Sequence, residues 1–335
     1  TCAGGLLGGR LMFSSHYFAR TPIPELYRWF ATEAAPTSTI WRDVCLWVAS
    51  TPEAGALLTT LPGTKRQPNL FLAALKYFEA PITQPGEGLQ AWVQVNWARV
   101  EALILARATQ TNEPGRCAVL APVIASLRQP VALIEVGPSA GACLMMDRYS
   151  YRWTGDVSAS GGVPGAPVIE SRHTGAVPAL GVPEVGWRVG IDLNPLSATD
   201  EDDVRWLRSL VWPGEDAREQ RLADCLDVVR REPPRIVAGN ALNLLPQVLA
   251  EVPAGLTPVV FHSAVLAYFD RDDRTRFVDL IADLGVHWVS LEGAKVVPGV
   301  AERLPSIVPE PAMAVSLDGE PLCWTQHHGA WVDWF

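Results

Sequence analysis

A glycine-rich segment after an apolar run carries the residues best placed for chemistry. The run Val131–Val136 leads into Gly137, Ser139 and Gly141, and Glu135 stands within the run. Glycines in such a loop let the backbone approach a nucleotide-like ligand at the start of a helix. A carboxylate beside the loop interacts favourably with a cationic group of that ligand. The segment therefore predicts a ligand site at the end of a buried strand.

Polar residues also end the later predicted strands, where an open parallel sheet gathers its ligand-binding groups. Asp192 ends the second strand, Asn240 follows the third and His262 ends the fourth. An acidic residue after the second strand can accept hydrogen bonds from ribose hydroxyls. Glu170 is an alternative to Asp192, because residues 154–186 resist assignment to strands. This order of motifs is typical of methyltransferases that use S-adenosylmethionine, and it predicts cofactor contacts by Glu135, Gly137, Ser139, Gly141, Asp192 and Asn240.

His262 has two interpretations, which the sequence leaves open. As a catalytic residue it is a general base that deprotonates the methyl acceptor. As a structural residue it is a histidine whose hydrogen bonds are satisfied at a strand end. Its position after an apolar strand is the observation that favours catalysis.

The same glycine loop also matches Gly-x-Ser-x-Gly, the nucleophile elbow of α/β serine hydrolases, with Ser139 as the nucleophile. Partners for Ser139 would be His327 or His328, with Asp270 or Glu292. In that fold several strands precede the elbow, whereas helices are predicted there in this chain. A dinucleotide-binding loop is a weaker match, because the glycine spacing departs from G-x-G-x-x-G. A non-catalytic ligand-binding protein that keeps the fold is the third alternative.

A second unusual segment, residues 107–116, is polar and lies between two apolar predicted helices. In one interpretation Asn112 caps the following helix and Glu113 complements its dipole. In the other, this turn contacts cofactor or substrate through Arg107, Gln110, Asn112, Glu113 and Arg116. Both interpretations stay open.

The pattern of elements changes near residue 130. Helical periodicity dominates roughly the first 130 residues, and strands alternate with helices after them. A helix is expected at Ala142–Tyr149, directly after the glycine loop, and a hairpin at 312–325 around Asp318-Gly319. We predict two regions: an N-terminal all-α cap at 1–129, and at 130–335 an α/β domain with a Rossmann-like, mostly parallel sheet of the methyltransferase type that ends in an antiparallel hairpin.

Composition limits the possible functions. The chain has 335 residues, 48% of them hydrophobic, and a formal charge of −9. Residues 1–130 carry 11 basic and 8 acidic side chains, and residues 131–335 carry 16 and 28. Nucleic acid is not expected as a partner, because its binding needs a basic face. The charge difference between the halves supports the two-region prediction.

Neither a metal site nor a membrane segment is predicted. The six cysteines are scattered without a CxxC pair, so we expect reduced, buried thiols and no structural zinc. The apolar run Ala118–Val136 contains Arg128 and does not predict a membrane helix. The start lacks the pattern of a signal peptide, and Met12 is the expected natural start, with Thr1–Leu11 upstream of it.

Four motifs together resemble one bacterial family, domain of unknown function 2332; they are Thr109–Cys117, Glu135–Gly141, Gly190–Pro195 and Phe261–Tyr268. The resemblance extends from about Phe18 to Trp334. It implies little chemistry, because the family's activity is uncharacterised. Members often have Asp where this chain has Asn240, and this difference weakens the expectation that Asn240 contacts the adenine of the cofactor.

The expected function is methyl transfer from S-adenosylmethionine to a small molecule in the cytoplasm. His262 would be the base in that reaction. The sequence names neither the methyl acceptor nor the oligomeric state.

Overall fold

The computed structural model describes residues 15–305 and 312–335. The expected start at Met12 and the segment before it lie outside the described residues.

Eleven α-helices occur in the described part of the chain. They are Ser15–Arg20 (α1), Ile23–Ala34 (α2), Thr39–Ser50 (α3), Pro52–Thr60 (α4), Pro68–Tyr77 (α5), Glu87–Ala106 (α6), Cys117–Ala125 (α7), Glu201–Ser209 (α8), Asp216–Arg231 (α9), Ala241–Leu249 (α10) and Arg271–Leu284 (α11).

One sheet contains the eleven strands of the described residues. They are Val131–Val136 (β1), Ser150–Gly155 (β2), Ala159–Gly162 (β3), Val168–Gly175 (β4), Val185–Asp192 (β5), Ile236–Ala238 (β6), Thr257–Ser263 (β7), His287–Gly293 (β8), Met313–Leu317 (β9), Glu320–Thr325 (β10) and Trp331–Trp334 (β11). Their order across the sheet is β3-β2-β4-β11-β10-β9-β8-β7-β1-β5-β6.

The sheet is mostly parallel, which confirms the predicted mixed α/β class. Strands β6, β5, β1, β7 and β8 form a continuous parallel block. The predicted C-terminal hairpin is present as β9 and β10, and it joins that block antiparallel through β8. Beyond it, β11 pairs antiparallel with β10 and parallel with β4, which in turn pairs with β2. Strands β2, β3 and β4 occupy much of the segment that the sequence left unassigned.

Contacts divide the chain into two compact units. The sheet unit contains Glu113–Pro195 and the described residues from Pro234 onward, and the helical unit contains the described residues up to Asn112 together with Leu196–Pro233. This grouping differs from the predicted boundary between residues 129 and 130.

Specific hydrogen bonds account for the difference. Helices α8 and α9 belong to the helical unit because α5 bonds to them: Tyr77 donates to Asp202 at 3.0 Å and Lys76 to Glu219 at 2.7 Å. Helix α7 belongs to the sheet unit, where Trp153 Nε1 of β2 donates to the Ala118 carbonyl at 2.9 Å.

Strand β1 forms at the centre of the parallel block because its sequence is apolar and rich in branched residues. All six of its residues are buried, as expected for a parallel strand covered on both faces. On one face, Ile134 and Val136 pack in a core with Phe277 and Ile281 of α11 and Leu245 of α10. The other face carries Glu135.

The helix predicted at Ala142–Tyr149 is present as a 3-10 helix, Cys143–Arg148, with non-helical angles at Met145. Side-chain hydroxyls bond to carbonyl groups of this segment. The Tyr149 hydroxyl donates to the Ala142 carbonyl at 2.8 Å, and the Tyr151 hydroxyl donates to that of Met146 at 2.6 Å.

No helix in the described residues is long and apolar enough to cross a membrane.

One largely buried ion pair anchors this 3-10 segment to β5. Arg188 donates to both carboxylate oxygens of Asp147, at 2.6 and 2.8 Å, and to the Leu144 carbonyl at 2.6 Å.

We predict that Arg188→Ala lowers the free energy of unfolding by about 1.5–3 kcal/mol, because it removes the largely buried cation that donates to both oxygens of Asp147 and leaves only the more exposed Arg148, 3.0 Å from Oδ2. The control is Arg235→Ala, which breaks an exposed pair with Glu251 and should cost less than about 1 kcal/mol. Urea titrations followed by circular dichroism measure both. Equal losses in the two variants would contradict the anchoring role.

Candidate functional site

The glycine loop that follows β1 has a left-handed backbone at three positions. Glycine adopts this conformation easily, whereas other residues adopt it with strain. Gly137, Ser139 and Gly141 have φ angles of 73°, 55° and 89°. A Cβ atom at Gly137 would lie 2.5 Å from Cγ2 of Val265, so a larger residue would collide with the loop after β7. The left-handed φ is uncommon for a residue such as Ser139, and the contacts of the loop must hold it there.

Asp192 supplies one of those contacts. Its Oδ2 accepts a hydrogen bond from the Ser139 amide at 2.9 Å, and its Oδ1 accepts one from the Asn194 amide at 2.8 Å. Burial raises the pKa of Asp192, and these two amides partly offset that effect. Asp192 thus ties the glycine loop to β5, the neighbour of β1.

Topology shows which of Asp192 and Glu170 ends the strand beside β1. Asp192 ends β5, which pairs directly with β1. Glu170 lies on β4, where it is exposed and forms an ion pair with Arg152. The sequence could not decide this, because the strands between residues 154 and 186 were not recognised.

Glu135 is the most unusual group of the site. It is 2% exposed, and its Oε2 has no hydrogen-bond partner in the described structure. Burial raises the pKa of Glu135 well above its usual range, with further increases from Cys143 and Asp192. Arg116 and the Leu144 amide act in the opposite direction. A buried acceptor without a partner normally indicates an additional ligand or water.

The strand register decides which side chains share a face with Glu135. Glu135 stands beside Gly190 of β5 and Phe261 of β7. Because side chains alternate along a strand, Asp192 and Ser263, two residues further on, lie on the Glu135 face. His262 stands beside Val136 and therefore lies on the opposite face.

This placement changes the account of His262. Its side chain is fully buried beside Phe277 and Trp288, on the face that packs against α11. Its Nδ1 bonds to Glu292 Oε1 at 2.7 Å, and its Nε2 accepts from Trp288 Nε1 at 3.0 Å. With both ring nitrogens in use, this geometry fits the structural interpretation of His262 and offers no nitrogen to a substrate.

Glu113 and Arg116 are integral to the site edge. Arg116 donates from Nε to the His327 carbonyl at 3.0 Å, and from Nη1 to the carbonyl and hydroxyl of Ser263 at 3.0 and 3.2 Å. Glu113 accepts from the Gly115 amide at 3.0 Å and so begins the turn before α7. The cap is therefore Glu113, whereas the capping interpretation assigned it to Asn112.

The other three residues predicted from the polar segment belong to the helical unit. Arg107 forms an ion pair with Asp203 there, and its carbonyl accepts from Lys65 at 2.6 Å. Asn112 is buried and Gln110 is half-buried. Their contacts with cofactor or substrate stay a prediction.

Asn240 caps α10. Its Oδ1 accepts a hydrogen bond from the Leu242 amide at 2.9 Å, so the cap uses the oxygen of the side chain and not its NH₂ group. The preceding Gly239 amide bonds to the Asp192 carbonyl at 2.8 Å. Asn240 therefore lies at the same edge of the sheet as Asp192.

Chain connectivity also points to this edge. After β1 the chain first forms β2, β3 and β4 at the far edge of the sheet. Within the parallel block it then adds β5 and β6 on one side of β1, and β7 and β8 on the other. Ligands of open α/β sheets bind where the strand order reverses in this way, beyond the carboxyl ends of the strands. The described residues contain no cluster of three or more His, Cys, Asp or Glu that could hold a metal ion.

Sequence reasoning missed several residues of this region. Cys143, expected only as a buried thiol, lies close enough to Glu135 to affect its pKa, and its Sγ contacts the Glu113 carbonyl at 3.5 Å. His328 faces Glu113, with 3.4 Å between Nδ1 and Oε2. No local pattern links residues 113 and 328, so only the fold reveals that pair.

The raised pKa of Glu135 predicts a pH-dependent stability. Above its ordinary pKa of 4.5, the unfolded chain loses this proton while the folded chain retains it. The contribution of Glu135 to stability therefore falls as the pH rises through this window. Glu135→Gln has no carboxyl group and so does not lose stability in this way. As the pH rises above 4.5, the free energy of unfolding of Glu135→Gln minus that of the natural chain should therefore increase by up to about 1.4 kcal/mol per pH unit.

Urea titrations at a series of pH values above the ordinary pKa measure this trend. Glu170→Gln, at an exposed glutamate, is the control. The same pH trend in both variants, or none in Glu135→Gln, would contradict the burial argument.

Comparison with known families gives a match over most of the chain. The model of an uncharacterised protein family conserved in bacteria, domain of unknown function 2332, matches residues 82–334. The resemblance seen in the motifs is thus confirmed over that range, and the family description names no activity. Neither the curated proteins nor the solved structures provide a match. The chain belongs to the bacterial family of domain of unknown function 2332.

Proposed function

We propose that the protein is an S-adenosylmethionine-dependent methyltransferase that acts on a small molecule. The observation that carries the proposal is Glu135 Oε2, a buried acceptor without a partner at the switch point of the sheet. A cationic ligand group satisfies such an atom, and S-adenosylmethionine carries both an ammonium and a sulfonium.

The surrounding residues fit the rest of this cofactor. Asp192, at the end of the strand beside β1, would accept hydrogen bonds from the ribose hydroxyls, as an acidic residue at this position does in dinucleotide-binding folds. The NH₂ group of Asn240 would donate to adenine. The left-handed glycines at 137 and 141 keep side chains out of the loop. The parallel strand order β6-β5-β1-β7-β8, with the first strand central, supports a sheet of the methyltransferase type.

The cofactor would supply an electrophilic methyl group. The residues of the chain would supply alignment and exclusion of water, which are worth about 7–11 kcal/mol in favourable cases. Glu135, Arg116 and Asp192 are all nearly buried, and charges interact more strongly in such surroundings than in water. His262 has no catalytic role in this proposal. A small-molecule partner and a cytoplasmic location remain part of it.

Calorimetry with two related ligands tests the assignment of Glu135. S-adenosylhomocysteine contains the amino acid group, and 5′-methylthioadenosine lacks it. Glu135→Gln should lower the affinity for S-adenosylhomocysteine by about 10- to 150-fold. This factor corresponds to the loss of a charge-assisted hydrogen bond of about 1.5–3 kcal/mol. Binding of 5′-methylthioadenosine should stay within about threefold, because that ligand has no ammonium group.

Glu170→Gln is again the matched control, and it should bind both ligands normally. Failure of the natural chain to bind either ligand would contradict the proposed function. An equal loss for both ligands in Glu135→Gln would contradict the role of Glu135 alone. Binding without any methyl transfer would favour a non-catalytic ligand-binding protein.

One observation favours a serine hydrolase as a second candidate. Ser139 has a left-handed φ of 55° in a Gly-x-Ser-x-Gly loop after a strand, as a strained nucleophile elbow requires. Two observations count against a hydrolase. Only a short 3-10 helix follows the Ser139 loop, and β1 is the first strand along the described chain, whereas several strands precede the nucleophile elbow of that fold.

A fluorophosphonate probe separates the two candidates. The methyltransferase account predicts no covalent label on the natural chain after incubation with the probe, as judged by intact mass, because it gives Ser139 no nucleophilic role. Labelling that disappears in Ser139→Ala and persists in Ser263→Ala would support the hydrolase instead.

A further inference from the structure

Arg116 is a buried cation on the same face of the sheet as Glu135. Only 5% of Arg116 and 2% of Glu135 is exposed. Arg116 Nη1 donates to the carbonyl and the hydroxyl of Ser263, which follows two residues after Phe261, the neighbour of Glu135 in the sheet. Side chains two residues apart on a strand lie on the same face. The guanidinium is therefore fixed on the Glu135 face, at the carboxyl end of β7.

This guanidinium keeps one nitrogen for a further partner. Its Nε and Nη1 donate to the carbonyl groups of His327 and Ser263, at 3.0 Å each, whereas Nη2 forms no hydrogen bond within the described residues. The enclosed polar atoms that lack a partner in the described structure do not include Nη2, so this nitrogen borders on space that water reaches. Arg116 thus holds out the two N–H groups of Nη2 in a fixed direction.

Glu135 offers the complementary position. Its Oε2 is an enclosed acceptor without a partner in the part of the chain that the structure describes. Arg116 is close enough to lower the pKa of Glu135 against the effect of burial, yet Oε2 accepts no hydrogen bond from it. An unused acceptor and an unused donor of opposite charge therefore lie on one face of the sheet.

A zwitterion satisfies both positions at once. Its ammonium group would donate to Glu135 Oε2, and its carboxylate would accept from Arg116 Nη2. A cation alone would be repelled by Arg116, and an anion alone by an ionised Glu135, and such forces are stronger in a nearly buried site than in water. A buried charge is also costly without a partner. An α-amino acid carries both charged groups on a single carbon atom.

We propose that Glu135 and Arg116 together form a binding site for the α-amino acid group of a ligand. Glu135 Oε2 binds the ammonium group, and Arg116 Nη2 binds the carboxylate. Two kinds of ligand carry this group, namely the methionine end of S-adenosylmethionine and a free amino acid. The first kind rests on the proposed function, whereas the second does not.

Two ligands that differ only in the carboxylate test the site in the natural chain. S-adenosylhomocysteine has this group, and S-adenosyl-3-thiopropylamine lacks it. Calorimetry should show that S-adenosylhomocysteine binds about 10- to 150-fold more tightly, as expected for hydrogen bonds between charged groups. Equal affinities for the two ligands would overturn the site, and this result needs no variant that has to fold.

Arg116→Gln tests which residue recognises the carboxylate. The ratio of the two affinities should fall to about threefold or less, because the charged donor is lost. Arg116 also holds Ser263 and the turn at His327, but damage to that support weakens both ligands alike and cancels in the ratio. The control is Arg152→Gln, the same substitution at an exposed arginine, which should keep the natural ratio. An unchanged ratio in Arg116→Gln would overturn the carboxylate contact.

Free amino acids distinguish the two kinds of ligand. L-Methionine is titrated into the natural chain beside 4-(methylthio)butanoic acid, which lacks its amine, and 3-(methylthio)propylamine, which lacks its carboxylate. If S-adenosylhomocysteine does not bind, but L-methionine binds at least about tenfold more tightly than both analogues, the site is supported with a free amino acid as its ligand. That result contradicts the proposed function alone.

The remaining outcomes also separate the two proposals. Binding of S-adenosylhomocysteine with the expected ratio supports the cofactor as the ligand. Binding of S-adenosylhomocysteine and its decarboxylated form with equal affinity contradicts the amino acid site and leaves the proposed function standing. Absence of binding by both S-adenosylhomocysteine and L-methionine would overturn the site together with the proposed function.

Discussion

The carboxylate of Asp192 is the interaction on which the candidate site depends. Its two oxygens accept hydrogen bonds from the amides of Ser139 and Asn194. These bonds join the loop after β1 to the end of β5. The left-handed backbone of that loop, and the close approach of Val265 to Gly137, require such a tie. Burial makes the carboxylate costly to ionise, so the amides both stabilise the charge and fix the loop.

The second constraint is the alternation of side chains across a sheet buried on both faces. Glu135, Asp192 and Ser263 lie on one face, and the buried Arg116 bonds to Ser263 there. Val136, Ile191 and His262 lie on the other face, which packs against α10 and α11. The second face also has polar groups, but they bond to one another and to the backbone. Glu292 accepts hydrogen bonds from His262 and from the amides of Val265 and Leu266, and it thereby holds the loop that covers Gly137.

Local pattern was sufficient for part of this account. The hairpin predicted around Asp318-Gly319 is present as β9 and β10, the α/β class follows from alternating elements, and Asp192 was found because an acid ended an apolar strand. Local pattern could not assign a face to His262, because both faces of β7 are apolar and no alternation marks the solvent side. It also did not distinguish the 3-10 helix after the glycine loop from an α-helix, since Tyr151 of β2 and Arg188 of β5 bond to carbonyls of that segment. The pair of Glu113 and His328 is separated by most of the sheet unit in sequence, and so only tertiary structure shows it.

A crystal structure of the full chain with S-adenosylhomocysteine would test the central claim most directly. The account predicts the ligand's amino nitrogen within hydrogen-bond distance of Glu135 Oε2, about 3 Å, and its ribose hydroxyls at Asp192. A ligand bound away from the carboxyl ends of β1 and β5, or a Glu135 whose Oε2 bonds to another group of the protein, would contradict it.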